Sequence, residues 1–171
     1  MTKTLRFLLS MAVVLTVMTW TAGPASAAPS YSSQMSELNR AVNATWMGQF
    51  LYNRSHRGTN GLGYMDWSTD WCSAPLVGNG PYNFSNACLR HDFGYRNLKR
   101  VEAQFGRDVW KYRNKANVDT IFGLDMNDRC REFNWFARQP CYTTAGIYEN
   151  AVRAFGGGFP TQGAYYYSLS W

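Results

Sequence analysis

Residues 88 to 97, CLRHDFGYRN, set a histidine beside an aspartate, with a cysteine three residues before the histidine and a tyrosine four after it. On a helix, Cys88, His91, Asp92 and Tyr95 fall at i, i+3, i+4 and i+7 and share one broad face. Such a face is ordinarily apolar. Here it carries a thiol, an imidazole, a carboxylate and a phenol. A buried carboxylate is costly unless it is paired, hydrogen-bonded or bound to a metal. Neighbouring residues diverge by roughly 100° about the helix axis, so His91 and Asp92 serve two adjacent positions. The chemistry this allows is a proton acceptor, His91, beside an oxygen ligand, Asp92.

A second carboxylate, Asp70, lies two residues before Cys72. A Cys72–Cys88 bridge would fasten it near the start of the same helix. Two carboxylates, a backbone carbonyl and waters suit a hard cation, and calcium takes such oxygen ligands. His91 would then take a proton from water beside the ion, its other ring nitrogen held by a carboxylate that sets the tautomer. Asp119 is the first choice for that carboxylate, and Asp125, on the same stripe, is the second. Plainer readings compete. His91 can be a core histidine bonded to a backbone carbonyl, Asp92 can pair with Arg96 one turn on, and Asp70 can cap a turn.

The elements that must position these residues are mostly helices. Met35, Leu38, Val42, Trp46, Phe50 and Leu51 recur at three- or four-residue intervals and predict a helical stripe over 31–54. SHRGTNGLG, with three glycines, breaks it. DWSTDWC and a Gly-, Pro-, Asn- and Ser-rich loop follow, held at both ends by Cys72 and Cys88. Asn86 or Ser85 is the expected N-cap of a helix over 87–103, ended by Gly106. A third helix over 110–132 carries Val118, Ile121, Phe122, Asp125 and Met126 on one side. Pro140 marks a turn before a last helix over 141–155, which Gly156, Gly157 and Gly158 stop. No segment alternates as a strand would, so the expectation is a mostly α fold: a small disulfide-stapled helical domain whose two long antiparallel helices carry the site.

The chain opens like a secretory leader. Lys3 and Arg6 precede the apolar run FLLSMAVVLTVMTW and the small-residue stretch AGPASA. Cleavage is expected after Ala27, which makes 1–27 a signal peptide and 28–171 a single secreted domain with an aromatic and Gly-rich tail from 155. The run is too short and wrongly flanked for a spanning helix, so no transmembrane segment is expected, and the domain is expected to be a monomer. Loss of Lys3 and Arg6 takes the formal charge from +6 to +4. That favours an anionic surface, but no block of Lys and Arg suits nucleic acid.

Four cysteines in a secreted chain imply two disulfides with three possible connectivities. Nearest neighbours, Cys72–Cys88 and Cys130–Cys141, are the expected pairs. The first would be worth about 3 kcal/mol in the chain-entropy model. No cysteine pair has the close spacing of a zinc knuckle.

DWSTDWC followed by CLRHDFGYRN resembles the small secreted phospholipases A2 of bacteria and fungi, and VDTIFGLDMNDRC resembles the third long helix of that family. The likeness runs from roughly Met65 to Cys141, and the His-Asp-Tyr spacing is shared with animal and venom phospholipases A2. The resemblance implies a water-activating base at His91, an orienting carboxylate at Asp119 and a hydrogen-bonding Tyr95. It also implies a calcium ion held by the Asp92 carboxylate, the Asp70 carboxylate and the main-chain oxygen of Trp71. The four cysteines match the family's two neighbouring bridges. The implied reaction is hydrolysis of the sn-2 ester of a glycerophospholipid at a membrane or micelle surface, with calcium binding the phosphate and stabilising the oxyanion. The glycine-rich calcium loop and the many cysteines of the animal enzymes are missing, as in the bacterial type.

Trp67, Trp71, Tyr82 and Phe84 lie near the expected mouth, each as readily core as lipid contact. No GxSxG elbow supports a serine lipase. Two other classes stand beside this reading. One is a metal-dependent phosphoesterase, which would draw on further histidines when only His56 remains. The other is a catalytically silent secreted module, membrane-binding or toxin-like, on the same scaffold.

Overall fold

The computed structural model describes residues 29–43, 46–72, 81–110 and 113–156. Five helices, and no strand among the described residues, make up the fold: α1 (Tyr31–Asn43), α2 (Met47–Ser55), α3 (Ser85–Phe105), α4 (Arg113–Arg131) and α5 (Trp135–Phe155). The expected cleavage site after Ala27 and the tail beyond Gly156 lie outside the described residues. No helix among the described residues is long and apolar enough to cross a membrane.

α4 is the middle layer, packed against α3 on one side and α5 on the other, while α1 covers α3 and touches α4. Cross-helix contacts fix the directions. Arg90 meets Asp125, His91 meets Asp119 and Gly94 meets Val118, so partners on α4 fall in number as those on α3 rise, and the pair is antiparallel. α4 and α5 run antiparallel too. Lys115 bonds the carbonyl of Val152 at 3.1 Å near one end, and Cys130 is bridged to Cys141 near the other.

The apolar side chains sort into two clusters. One joins Met35, Leu38, Phe50, Trp67, Phe93 and Leu98 from α1, α2, the following loop and α3. The other surrounds both disulfides with Phe84, Phe122, Met126 and Tyr148. Cys88 belongs to the second and Phe93 to the first, so His91 falls between two packed regions along α3.

Four sequence expectations change in detail. The single stripe over 31–54 is two helices. α1 stops at Asn43, whose side-chain oxygen accepts from Asn117 of α4 at 3.1 Å, and extended Trp46 starts α2. Neither Asn86 nor Ser85 caps α3. Its cap position is Phe84, without a side-chain bond, and burial of that ring beside the Cys72–Cys88 bridge anchors the first turn instead. α4 begins at Arg113, later than 110, because Trp110 is buried in the preceding loop, its N–H on the Glu102 carboxylate at 2.9 Å.

Pro140 is not a turn. α5 starts at Trp135, capped by the Asn134 side chain, which accepts from the Ala137 N–H at 3.1 Å, and runs through the proline. Proline removes the bond to the carbonyl four residues back, here that of Phe136. Phe136 and Pro140 are both exposed, so water reaches this turn, and the adjacent Cys141–Cys130 bridge holds it in place. Gly106, left-handed at φ 62, closes α3 as a glycine after a helix should.

Gly94 sets how closely α3 and α4 approach. A Cβ there would lie 2.8 Å from a methyl of Val118, a stiff β-branched side chain in the core. Gly94→Ala should therefore cost about 1–3 kcal/mol of overpacking against about 1 kcal/mol of helix propensity gained. The expected result is a lower thermal midpoint than wild type; an equal or higher midpoint would mean that the two helices separate without cost.

Candidate active site

The loop 66–72 runs beside α3 in the opposite direction and is fastened to it at three levels. At the first, Cys72 is bridged to Cys88, with Cα atoms 5.3 Å apart. One turn on, Asp92 Oδ2 accepts from the Thr69 hydroxyl at 2.5 Å and from the Asp70 N–H at 3.1 Å. Beyond that, Asn97 accepts from the Asp66 N–H at 2.9 Å and donates to the Asp66 carbonyl at 2.8 Å. Between these levels Trp71 takes a left-handed backbone at φ 60, unusual for a non-glycine residue. Its N–H donates to the Thr69 hydroxyl at 2.9 Å, which fixes the plane of that peptide. Loop and helix thus meet through Cys88, Asp92 and Asn97.

His91 turns the other way, onto α4. Its Nε2 lies 3.0 Å from Asp119 Oδ1, and the same oxygen accepts from the Tyr95 hydroxyl. Asp119 Oδ2 accepts from the Lys115 ammonium at 2.7 Å. Asp119 has no exposed surface, and burial alone would raise its pKa. Hydrogen bonds from His91, Lys115 and Tyr95, with the imidazole charge, outweigh burial and hold it below the ordinary carboxylate range. An ionised carboxylate only accepts, so Nε2 carries the proton and Nδ1 carries the lone pair. Burial and the Asp119 charge push the Tyr95 phenol up, so it stays a donor. Phe122 and Tyr95 flank the imidazole, with ring centroids 4.7 and 4.0 Å away, and Trp110 meets Tyr95 edge-on.

Asp92 is the electrostatic opposite. Burial first, and then the charge of Asp70, raise its pKa; the Thr69 hydroxyl and the Asp70 N–H only partly offset them. Asp70 comes to Asp92 through its main chain, while its carboxylate accepts from Arg96 at 2.8 Å. Arg96, one turn beyond Asp92, therefore pairs with Asp70. Asp125 is not near the imidazole: it forms a buried ion pair with Arg90, whose Nε donates at 2.8 Å. His56 lies in an exposed turn, stacked on Tyr52 at 4.0 Å. Among the described residues no three His, Cys, Asp or Glu side chains converge as metal ligands. Trp67 and Phe84 are core residues, Tyr82 is half-buried, and Trp71 is 45% exposed beside Asp70.

Three contributors were not foreseen. Lys115 was signalled by its place four residues before Asp119, on the same helix face. Thr69 and Arg90 had no signal beyond adjacency to Asp70 and His91.

The fold thus joins a small helical domain with two disulfides, a buried imidazole–carboxylate pair and a second carboxylate fastened to a loop. Residues 39–156 match the prokaryotic phospholipase A2 family, and the chain belongs to that family. It is 33% identical over 138 residues to a secretory phospholipase A2 of Beauveria bassiana (strain ARSEF 2860), covering 80% of this chain and 66% of that protein. It is 39% identical over 97 residues to a secretory phospholipase A2 of Arthroderma benhamiae (strain ATCC MYA-4681 / CBS 112371), covering 54% of this chain and 61% of that protein. The chain thus spans a little under two thirds of the length of each of these relatives.

The opposed shifts of the two aspartates carry opposite signs for stability. Asp119, held low, contributes stability above the ordinary carboxylate value that is lost as pH falls through the lowered one. Asp92, held high, costs stability once pH rises above its raised value, and removing its charge removes that cost. In chelator at neutral pH, Asp92→Asn should unfold at or above the wild-type midpoint. A fall of more than about 3 °C would mean that the carboxylate is structural rather than short of a counter-charge.

Proposed function

We propose that the chain is a secreted, calcium-dependent phospholipase A2, acting as a monomer, that hydrolyses the sn-2 acyl ester of glycerophospholipids to a lysophospholipid and a fatty acid. The observation that supports it most directly is the His91 imidazole held through Nε2 by ionised Asp119. Nδ1 is left to take a proton from water, which is the nucleophile, so no acyl-enzyme forms. As His91 gains that proton, the buried Asp119 carboxylate steadies the charge, and Tyr95 and Lys115 keep the carboxylate from turning away.

The ligand types on the loop side suit calcium. Asp92 is a half-buried carboxylate with a raised pKa beside a second carboxylate, the condition that a divalent cation relieves. The main-chain oxygen of Trp71 and water would complete an oxygen set together with Asp92 and Asp70. Calcium bound there would supply charge to the substrate phosphate and to the developing oxyanion. Trp71, exposed and next to these residues, can enter the lipid interface, where its ring has both an apolar body and a polar edge. The net positive charge of the sequence favours anionic lipid.

The test is fatty-acid release from phospholipid vesicles with calcium and then with chelator. The expected outcome is release that stops in chelator. His91→Asn should lower turnover at least about a hundredfold with calcium binding and unfolding midpoint near wild type. Release that continues in chelator would remove calcium from the reaction, and cleavage of the phosphodiester to a phosphomonoester, with no fatty acid released, would point to a phosphoesterase. Retained turnover in His91→Asn would remove the imidazole.

A further inference from the structure

The Arg96–Asp70 contact puts a cation on one of the two carboxylates assigned to calcium. Arg96 Nη2 donates to Asp70 Oδ1 at 2.8 Å. The placement follows from α3 itself. Arg96 is one turn beyond Asp92, so it leans over the loop whose Asp70 N–H is bonded to Asp92. The guanidinium is stabilised in its charged form by the hydrogen bond to Asp70 and by the charges of Asp70, Asp92 and Asp66. It pairs directly with Asp70 and feels Asp92 and Asp66 only through their charge.

This ion pair is open to water: the Arg96 side chain is 37% exposed and that of Asp70 58%. Exposed pairs of this kind are worth little, so a divalent ion can displace the guanidinium. A metal ion coordinated by Oδ1 and a guanidinium hydrogen-bonded to the same oxygen crowd one position and carry like charge. The contrast with Lys115 is sharp, because that ammonium is buried on Asp119 and tied to the Val152 carbonyl.

We infer that Arg96 is a built-in competitor of calcium at Asp70, and that it sets the calcium concentration at which the site fills. This rests on the calcium site proposed above. When the ion is absent, Arg96 occupies Asp70 Oδ1, while the Cys72–Cys88 bridge, Asp92 and Asn97 hold the loop in register. When the ion binds, the guanidinium leaves Asp70 Oδ1 for solvent.

Calorimetric titration of calcium chloride into the purified chain tests this, with Arg96→Gln, which removes the charge, and Arg96→Lys, which keeps it. Arg96→Gln should bind calcium about two- to five-fold more tightly than wild type, and Arg96→Lys should stay within about two-fold of wild type. Equal or weaker binding by Arg96→Gln, with wild type binding normally, would overturn the role of Arg96 and leave the calcium site standing. No binding by wild type would remove the calcium reading itself, and the inference with it.

Discussion

A carboxylate with no access to water must find its donors inside the protein, and Asp119 governs the arrangement around it. His91 and Tyr95 reach it from α3 and Lys115 from its own helix, and Lys115 is in turn bonded to α5. One buried charge therefore ties the three long helices together. Leaving such a group unpaired costs several kcal/mol, far more than an exposed pair contributes, so the three donors are obliged to converge. Their convergence needs α3 and α4 to lie close, which the absent side chain of Gly94 permits against Val118. The imidazole owes its orientation to this demand: an ionised acceptor on one nitrogen leaves only the other to act as a base.

The loop side of α3 obeys the opposite rule. Asp92 is half-buried and near another carboxylate, yet it accepts from a hydroxyl and a backbone N–H, both uncharged. The Lys115 ammonium compensates Asp119, and among the described residues no cation is hydrogen-bonded to Asp92. Two aspartates on facing helices thus have pKa values pushed apart by environment, one fitted to hold a histidine and the other to receive a cation from solvent. The Cys72–Cys88 bridge and the Asn97–Asp66 bonds hold the loop on either side of Asp92. This makes the deficit of positive charge a property of the fold rather than of a loose segment.

Much of this was legible in the sequence because it follows local periodicity. The spacing of Cys88, His91, Asp92 and Tyr95 requires a helix that sends neighbouring residues to different partners, and the structure sends Cys88 and Asp92 to the loop and His91 and Tyr95 to α4. The cysteine pairs form between neighbours. What was not legible depends on tertiary context. The break between α1 and α2 is invisible to a stripe that continues at helical spacing on both sides of it. The run of α5 through Pro140 relies on the cap at Asn134 and on the nearby bridge, and helix propensity argues against it. Arg90 and Arg96 each had an eligible acid on their own helix or a neighbouring one, and only packing decides that Arg90 takes Asp125 and Arg96 takes Asp70.

The central claim is that Asp119 fixes the imidazole of His91 with its proton on Nε2. Nitrogen-15 NMR of the imidazole rings tests this directly, since the chain has only two histidines and His56→Gln assigns the other. The account predicts that, above its titration, His91 shows a protonated Nε2 and an unprotonated Nδ1, and that Asp119→Asn disturbs this pattern. A proton on Nδ1, or a spectrum indifferent to Asp119, would contradict it.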